Sequence, residues 1–407
     1  MKIVIINSLY TPHIIGGAEI STQILAETLA SVADVHVLTL GGQRRDEGVR
    51  EERIGGVTVH RLPHGSLYWI GDPQRRGVLR RTARRLTDLY NPRQIEAVRE
   101  RLERIRPDLV HTQNLSGFGA AIWTAADSLG VPIVHTLRDY SLLSPVSSPL
   151  RNPALARLYA LSSSAFSRRV SAVVGISSHI LKRHTDAGLF PDAARRVIPN
   201  AVEGGIAASA KDFERRPLRI GCFGRVEPEK GVRELVEAAL SLPADIVERI
   251  VIAGDGSLRA KLAESCRHDA RFHFPGKVKP AEVRRLMGET DVNFVPSIWE
   301  EPFGRVIIES YQVGTPVYAT DVGGIPDAVW DPEEFLFPPG SAAAIRAKIL
   351  SFHSLTGADK RRIQAACLAH CRGFTQAALL DRHLDLYART LPAGSDFAVT
   401  APIGQVQ

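Results

Sequence analysis

The chain has 407 residues, of which 44% are hydrophobic and 23% charged, and its formal net charge is +7. At about 100–200 residues per domain, this length predicts two or three domains, and the composition excludes a collagen, a coiled coil and a wholly disordered chain. No apolar run approaches the ~20 residues that span a bilayer, and the first residues indicate a strand, not a signal peptide. We therefore expect a cytoplasmic globular protein.

Strand-like apolar runs alternate with helical patterns over most of the chain. Before residue 203, strands are predicted at 2–7, 35–40, 57–62, 109–112, 133–137, 172–175 and 197–199, with helices between them, for example at 18–31 and 120–129. After residue 217, strands are predicted at 218–223, 250–253, 272–274, 292–295 and 317–319, and helices at 232–240, 258–265, 282–287, 305–313 and 342–352. This alternation predicts parallel sheets with helices on both faces.

The segment 203–217 interrupts the alternation with small and polar residues, as a linker does. The predicted fold class is therefore α/β, with two tandem doubly wound, Rossmann-like domains at 1–205 and 206–375 and an active cleft between them. Residues 376–407 are predicted to form a C-terminal helix, which can pack back on the first domain, and a loose tail. Ligands of such sheets gather beyond the carboxyl ends of the strands, so the loops there should carry the chemistry.

The excess positive charge is concentrated in one segment. Residues 1–205 hold 26 Lys and Arg against 18 Asp and Glu, and residues 75–106 alone hold 11 arginines against 4 acidic residues. A helix near its start has an apolar face formed by Leu79, Ala83, Leu86, Leu89 and Tyr90. It is flanked by Arg80, Arg81, Arg84 and Arg85. Two interpretations stay open: the helix rests on an anionic membrane surface, or its leucines pack on the domain and its arginines are solvated. No nucleic-acid motif accompanies the arginines, so nucleic acid is not expected as a partner.

The four cysteines are too few for a disulfide scaffold, and we expect them to be reduced. Cys367, His370 and Cys371 have a spacing that a metal site could use, but no second ligand pair follows. Small core residues on a C-terminal helix are the simpler interpretation, and no metal site is predicted.

Two loops that follow predicted strands are suited to phosphate. Gly16 and Gly17 precede a helix, where glycines let backbone amides approach a ligand and the helix N-terminus favours an anion. A tight turn is the alternative, and the pattern is not the GxGxxG of nicotinamide sites. In FGRVEPEKG at 223–231, Gly224 is followed by Arg225 and Lys230, which can converge on one diphosphate. The alternative there is a pair of solvated loop cations.

A third loop, SIWEEPFGRVIIE at 297–309, adds two carboxylates. Glu301 lies at the mouth of a predicted helix and Glu309 about two turns into it, and Gly304 leaves the first amides accessible to phosphate. One carboxylate can accept hydrogen bonds from the hydroxyls of a sugar, and the other from those of a ribose. Together with Arg225 and Lys230, this set describes a site for a sugar nucleotide.

On these motifs the chain resembles the family 4 glycosyltransferases, which have the GT-B fold. The resemblance covers about residues 2–390. The residues that carry it are the Gly16-Gly17 loop, PDLVHTQN at 107–114, RVIPNAVE at 196–203, FGRVEPEKG at 223–231, AGDGS at 253–257, EEPFGRVIIES at 300–310 and GTPVYATDVGG at 314–324. EEPFGRVIIES contains the family's two glutamates, separated by seven residues.

The resemblance implies transfer of a sugar from a nucleotide diphosphate donor, with retention of anomeric configuration and no required metal or other cofactor. The first domain would bind the acceptor and the second the donor. Arg225 and Lys230 would hold the diphosphate, Glu309 the ribose hydroxyls, and Glu301 the hydroxyls of the transferred sugar. The other donor contacts implied are Gly16, Gly17, Gly224, Lys277, Val278, Phe303, Gly304, Arg305 and Val306.

One residue departs from the family pattern. Many relatives have a histidine in the motif that reads Thr136-Leu137-Arg138-Asp139 here. Arg138 can bind the donor phosphate or the acceptor, and we place it among the catalytic candidates with Arg225, Lys230 and Glu301. It cannot act as a general base at neutral pH. His111, Asn114 and Asp139 are candidate acceptor contacts.

The predicted function is a hexosyltransferase that uses a UDP- or GDP-sugar in the synthesis of a bacterial surface polysaccharide or glycolipid. Its acceptor would be a glycan or a polyprenyl-diphosphate-linked sugar, and the protein could lie peripherally on the inner face of the membrane. With no DxD-type motif and no assignable carboxylate nucleophile, a front-face reaction without a metal is expected. The alternatives are a GT-B sugar-nucleotide epimerase and a non-catalytic two-lobed ligand-binding protein.

Overall fold

The computed structural model describes residues 1–42, 47–72, 77–144, 153–214 and 217–392. These form two compact units: Met1–Ala201 with the chain from Gln376 onward, and Val202–Thr375. Three parts of the sequence prediction fall outside the described residues, namely Arg75 and Arg76 of the basic segment, Arg215 and Arg216 of the predicted linker, and the tail at 393–407.

The elements follow one another as strand and helix through most of the chain. Those of residues 1–201 are β1 (Lys2–Ile6), α1 (Gly17–Leu29), β2 (Asp34–Gly41), β3 (Arg50–Ile54), β4 (Val57–Pro63), α2 (Val78–Asp88), α3 (Pro92–Ile105), β5 (Leu109–Thr112), α4 (Trp123–Asp127), β6 (Ile133–Leu137), α5 (Pro153–Ser167), β7 (Ala172–Gly175), α6 (Ser178–Asp186) and β8 (Ala194–Val197). Those that follow are β9 (Leu218–Phe223), α7 (Val232–Leu240), β10 (Val247–Ala253), α8 (Arg259–Ser265), β11 (Phe272–Gly276), α9 (Pro280–Glu289), β12 (Val292–Val295), α10 (Arg305–Gln312), β13 (Val317–Thr320), α11 (Pro332–Phe335), β14 (Leu336–Phe337), α12 (Ala342–Ser354), α13 (Gly357–Cys371) and α14 (Gln376–Thr390).

The sheet of the first unit has eight strands in the order β3-β4-β2-β1-β5-β6-β7-β8. All neighbouring pairs are parallel except β3 and β4, which are antiparallel. The central strands β1 and β5 are buried, and their apolar runs suit strands covered on both faces. The edge strand β3 was not predicted, because its sequence REERI is charged and exposed.

The sheet of the second unit has six strands in the order β11-β10-β9-β12-β13-β14, and all its pairs are parallel. Strand order reverses at β9, whose carboxyl end is followed by Gly224 and Arg225. The predicted α/β class with two doubly wound, Rossmann-like domains is confirmed. Among the described residues, no helix is long and apolar enough to cross a bilayer.

The last helix, α14, belongs to the first unit. Leu379, Leu386 and Tyr387 are buried in the cluster that contains Ile3 and Val35 of the central strands. The hydroxyl of Tyr387 lies 2.6 Å from Nδ1 of His111 on β5. The chain thus returns to complete the core of the unit that it began.

Residues 203–214 of the predicted linker lie along the second unit and bind it through hydrogen bonds. Arg284 donates hydrogen bonds to the carbonyl oxygens of Glu203 and Gly205, each at 3.0 Å. The ammonium of Lys211 donates to the carbonyl oxygen of Gly288 at 2.9 Å, and burial lowers its pKa to about 8. The small and polar residues therefore do not form a free linker. They form a segment that is hydrogen-bonded to α9.

The basic helix, α2, exposes the leucines that one interpretation of its sequence placed against the domain. Leu79 is 88% exposed and Leu86 43% exposed, whereas Arg84 is buried. Arg84 pairs with Asp88 one turn later, at 3.2 Å. The interpretation in which the leucines pack on the domain is therefore wrong, because an internal ion pair occupies the buried face.

Some elements differ from the prediction by more than a few terminal residues or were not predicted. The strand predicted at 197–199 is β8, Ala194–Val197, and its arginines gave no strand signal. The helix predicted at 120–129 begins as a 3-10 turn and continues as α4 to Asp127. The two-residue strand β14 was not predicted, since so short a run has no period to detect.

Candidate functional site

A cavity of about 160 Å³ opens in the second unit at the carboxyl ends of β9 and β12. Its lining contains six of the residues that the sequence singled out: Gly224, Arg225, Lys230, Glu301, Arg305 and Val306. Apolar residues, among them Phe223, Val232 and Phe294, form the rest of the wall with Ser297. An apolar wall with a few convergent charged groups is typical of a small-molecule site.

Two glycines let the loops of this cavity approach one another. At Gly231, φ is +65°, and a Cβ there would lie 1.8 Å from the carbonyl oxygen of Pro296. At Gly254, φ is +148°, and a Cβ would lie 1.7 Å from the carbonyl oxygen of Gly224. No side chain fits at either position, so the loops that follow β9, β10 and β12 close on one another only because both residues are glycine.

Lys230 and Glu301 form a largely buried ion pair at the cavity. The ammonium of Lys230 lies 2.8 Å from Oε1 of Glu301, and the hydroxyl of Ser297 donates to the same oxygen. The ammonium also lies 5.7 Å from the ring centroid of Trp299. A ligand that takes up the lysine therefore changes the surroundings of the carboxylate as well.

The other two basic residues of the cavity have acidic neighbours on their own elements. Arg225 is exposed and lies 3.3 Å from Glu229, so solvent screens that pair. Arg305 donates from Nε to Glu309 at 2.7 Å, one turn along α10. Nη1 of Arg305 is buried and has no hydrogen-bond partner among the described residues. Arg305 thus fixes the orientation of Glu309 and retains donor capacity within the cavity wall.

The remaining donor candidates of this unit are either exposed or packed in its apolar interior. Val278 and Val306 pack with Phe223 in one apolar cluster, and Lys277 is exposed beside them. The side chain of Phe303 is buried against Phe374, with ring centroids 5.9 Å apart. If Phe303 contacts the donor, it does so through its backbone, because its side chain is packed in the interior.

In the first unit, Gly16 and Gly17 begin α1. The backbone amide of Gly16 donates to Glu19 at 2.8 Å, which closes the first turn. A Cβ on Gly17 would meet no atom within 4 Å. Local packing therefore leaves the space beside Gly17 open.

Arg138, Asn114 and Asp139 lie at the carboxyl ends of β5 and β6. Arg138 donates from Nε to Gln113 and from Nη1 to Asn200, both side-chain amide oxygens. Asn114 donates to Oδ2 of Asp139 at 3.0 Å. The sequence brings Arg138, Asn114 and Asp139 to one edge of the sheet, as expected for parallel strands.

His111 does not lie at that edge. It is fully buried on β5, with Tyr387 on one ring nitrogen and Thr136 on the other at 2.8 Å. Burial lowers its pKa well below the usual range, with the charge of Arg138 as a smaller cause. Because no acceptor can reach this imidazole, His111 is corrected from an acceptor contact to a core residue.

The cysteines lie within the protein interior. Burial raises the pKa of Cys222, in the cavity wall, to about 12, so it remains a thiol at neutral pH. Cys367 and Cys371 are buried on α13, and the nearby His370 hydrogen-bonds the carbonyl oxygen of Ala328 at 3.2 Å. Among the described residues, no group of three or more His, Cys, Asp or Glu could hold a metal ion.

Sequence reasoning missed three polar residues of these sites: Ser297, Gln113 and Asn200. Ser297 follows β12, and Gln113 follows β5 immediately before Asn114. Their positions after strands were the available signal. Ser297 binds Glu301 four residues later in the same loop, whereas the partner of Gln113 and Asn200 is Arg138, 25 and 62 positions away, and could not be read from the sequence.

Comparison with known proteins places both units in one family. Residues 16–201 match the model described as glycosyl transferase 4-like domain, and residues 208–367 the model described as glycosyl transferases group 1. A relative from Klebsiella pneumoniae, described as an uncharacterized 42.6 kDa protein in the cps region, is 30% identical over 332 residues, which cover 80% of this chain and 86% of that one.

Solved structures share the fold over nearly the whole chain. Sucrose-phosphate synthase of Thermosynechococcus elongatus superposes with a TM-score of 0.72 at 20% identity, covering 95% of this chain and 98% of that one. HepE of Anabaena in complex with UDP superposes with a TM-score of 0.69 at 19% identity, covering 96% and 100%. HepE has also been solved with UDP-glucose. The chain belongs to the family 4 glycosyltransferases and is a transferase with the GT-B fold.

Proposed function

We propose that this chain is a retaining glycosyltransferase that moves a sugar from a nucleoside diphosphate donor to a glycan or lipid-linked acceptor. The observation that carries the proposal is the cavity in which Lys230 and Glu301 pair at 2.8 Å beside Arg225. Two cations and one carboxylate at the carboxyl ends of strands match a diphosphate and a hydroxylated ring. Neighbouring Arg305 and Glu309 supply the second carboxylate, for the ribose.

The reaction would proceed by loss of the nucleoside diphosphate. The bond between the anomeric carbon and the phosphate oxygen breaks, and the acceptor oxygen forms its bond on the same face of the ring. The acceptor proton passes to the leaving phosphate. Arg225 and Lys230 stabilise the negative charge that develops on the diphosphate, which is where preorganised cations lower the barrier most.

No metal is needed in this proposal, since the two cations take the role that a divalent ion takes elsewhere. Glu301 exchanges its bond to Lys230 for the hydroxyls of the sugar when the lysine moves to the diphosphate. The Cys222 thiol takes no part as a nucleophile, because its pKa of about 12 keeps it protonated. The donor is a UDP-sugar or a GDP-sugar, and the UDP complexes of HepE favour the former.

The acceptor is placed at the anionic inner face of a bacterial membrane, in the synthesis of a surface polysaccharide or glycolipid. Helix α2 supports this: Leu79 and Leu86 are exposed, with Arg80 and Arg81 exposed beside them. Exposed leucines among arginines bind a surface that is apolar beneath and anionic above. The K. pneumoniae relative in a cps region supports the same setting.

Vesicle flotation tests the membrane part of the proposal. The full chain should float with vesicles that contain anionic lipid and should stay behind with neutral vesicles. The double variant L79S/L86S should lose flotation, while L240S, which alters an exposed leucine of the second unit, should keep it. If the wild-type chain floats with neither kind of vesicle, the membrane placement is wrong.

Thermal stabilisation by nucleotides tests the donor. UDP, GDP, ADP and TDP are compared at equal concentration, each with EDTA and then with Mg²⁺. A ligand at 100 times its Kd stabilises the folded state by about 2.7 kcal/mol, so one nucleotide should stand out. Stabilisation in EDTA supports the metal-free site. Stabilisation that appears only with Mg²⁺ would contradict it, and none under either condition would contradict the donor site.

A further inference from the structure

We propose that helices α2 and α5 form one lipid-binding surface, and that a groove between α5 and the end of α6 receives an acyl chain of an anionic phospholipid. We call this the α2–α5 surface and define it by Leu79, Leu86, Leu158 and Leu161. The inference rests on the membrane placement under the proposed function, to which it adds a second helix and a site for a single lipid.

Helices α2 and α5 lie side by side in the first unit. Tyr90, two residues beyond α2, stacks on Phe166 of α5 with ring centroids 6.5 Å apart. Arg85 and Asp88 of α2 line one small pocket together with Tyr159 of α5. The outer faces of the two helices therefore adjoin.

Apolar side chains form a stripe on the exposed face of each helix. Leu158 of α5 is 66% exposed and Leu161 59% exposed. Steps of three and four residues place the members of each stripe on one helical face. The exposed members are Leu79, Ala83, Leu86 and Tyr90 along α2, and Leu158, Leu161 and Ala165 along α5.

Polar side chains occupy the buried face of both helices. In α2 that face holds the ion pair of Arg84 and Asp88. In α5 it holds Ser163 and Ser167, which are fully buried. A helix that packs only on its own domain turns its apolar stripe inward. The reversed arrangement in two adjacent helices indicates an apolar partner outside the domain.

The exposed charges of these two helices are all positive. The sequence of α5 contains no acidic residue, and that of α2 contains only Asp88, which is buried. Arg80 and Arg81 of α2 and Arg157 of α5 are exposed. Helix α3, by contrast, has exposed glutamates among its arginines. An apolar surface bordered by cations fits a bilayer that contains anionic lipid.

A groove opens beside the α2–α5 surface. Its volume is about 460 Å³, which is within the range of small-molecule sites. Leu161 lines the groove and also belongs to the exposed stripe of α5, so the groove and the surface are continuous. A lipid chain at this helix can therefore enter the groove directly. The other apolar lining residues include Leu143, Ala156 and Ala160.

Two arginines line the same groove. Arg157 is exposed on α5, and Arg183 lies in the last turn of α6. The carboxylate in the lining, Asp186, lies 2.6 Å from the ammonium of Lys182. Guanidinium groups are well suited to phosphate oxygens. A phospholipid whose chain lies against the apolar lining can therefore place its phosphate near arginine.

Vesicle binding of the full chain tests the role of α5. Vesicles of phosphatidylglycerol and phosphatidylcholine are compared with vesicles of phosphatidylcholine alone. L158S/L161S should weaken binding to the anionic vesicles at least about tenfold, because two leucines no longer enter the bilayer. R157E should weaken it about fivefold or more, through loss of attraction to the lipid phosphates. The controls L240S and R346E, which alter exposed residues of the second unit, should leave it unchanged.

The outcomes separate this inference from the proposed function. If L79S/L86S loses vesicle binding while L158S/L161S binds like the wild type, the inference is overturned and the membrane placement stands. If the wild-type chain binds neither kind of vesicle, both fail, while stabilisation by UDP still tests the donor site independently. If L158S/L161S instead converts a dimer into a monomer without vesicles, the surface joins two copies of the chain, and the inference is overturned.

Quenching by a spin-labelled lipid tests the groove itself. The four native cysteines are buried, so Ala187→Cys, at an exposed position in the groove lining, provides an accessible thiol for a fluorophore. Anionic vesicles whose phosphatidylglycerol carries a nitroxide on an acyl chain should quench this fluorophore as strongly as one attached to Ala83→Cys on α2. A fluorophore attached to Ala343→Cys on α12 should not be quenched. Quenching on α2 with none at the groove would show that no acyl chain enters it and would overturn the proposal.

Discussion

Replacing Arg84 with alanine should destabilise the first unit far more than replacing the exposed arginine one turn before it on α2. Nη1 of Arg84 lies 3.2 Å from Oδ2 of Asp88, and each side chain is only 5% exposed. The guanidinium also lies 5.2 Å from the ring centroid of Tyr68, and Asp88 accepts a hydrogen bond from the hydroxyl of Ser66. Arg84→Ala removes the positive partner and leaves this carboxylate in the interior.

The expected cost follows from that uncompensated charge. Breaking a buried ion pair from one side costs about 3–5 kcal/mol. Burial already raises the pKa of Asp88 in the intact protein, and the loss of Arg84 raises it further. Protonation of Asp88 at acid pH therefore relieves part of the penalty. The double variant R84M/D88L, which leaves no buried charge, should cost less than Arg84→Ala alone.

Urea unfolding at neutral pH measures the effect. Arg80→Ala is the matched control, because Arg80 is exposed on the same helix and should change the free energy of unfolding by no more than about 0.5 kcal/mol. If Arg84→Ala costs no more than Arg80→Ala, or if the double variant is the least stable of the three, the buried pair does not anchor α2.

Three further predictions concern the buried polar groups and the donor site. Tyr387→Phe leaves Nδ1 of buried His111 without its partner at 2.6 Å, and should lower the free energy of unfolding by about 1–3 kcal/mol in urea titration; no loss would mean that α14 does not need this bond. Burial lowers the pKa of His135 to about 3 and of His184 and His383 to about 4, so the unfolded chain binds protons at these sites that the folded chain does not. Stability should therefore be full above about pH 7 and fall between pH 6.5 and 4, by up to ~1.4 kcal/mol per histidine per pH unit; an unfolding midpoint equal at pH 5 and pH 7.5 would contradict this. Arg305→Met frees Glu309 from its partner at 2.7 Å, and should weaken UDP by about tenfold while changing 2′-deoxy-UDP less; equal weakening of both would argue against a ribose role for Glu309.

Buried parallel strands were the part of the fold that could be predicted best. The runs at 109–112, 133–137, 172–175, 218–223 and 292–295 match β5, β6, β7, β9 and β12 residue for residue. Such strands are covered on both faces, so their sequences are apolar runs with polar ends. The exposed edge strand β3 has no such run, because solvent accepts its charged residues.

Helix α2 shows where periodicity misleads. Its leucines recur with helical spacing, which predicts the right helix but does not say which face is inside. The buried face holds Arg84 and Asp88, whose partners Tyr68 and Ser66 come from the segment between β4 and α2. An arginine and an aspartate four residues apart can be buried because each neutralises the charge of the other. The leucines of the helix then lie at the surface.

The sequence predicted which residues belong to the candidate site, but not which of them bind one another. Loops after strands identified Arg225, Lys230 and Glu301, since parallel strands present them at one edge. The bond between Lys230 and Glu301 joins residues 71 positions apart. The bonds of Arg138 to Gln113 and Asn200 span 25 and 62 positions. Only the folded chain shows which side chains lie within hydrogen-bond distance of one another.

The affinity of the chain for a nucleoside diphosphate when Lys230 is replaced tests the central claim most directly. UDP and uridine are titrated into the wild-type protein, Lys230→Met and the control Lys261→Met, which alters an exposed lysine on α8. We predict that Lys230→Met weakens UDP at least about tenfold and leaves uridine unchanged, because the lysine contacts the diphosphate alone. Lys261→Met should change neither. Equal affinity of Lys230→Met and wild type for UDP would contradict the assignment of this cavity to the donor diphosphate.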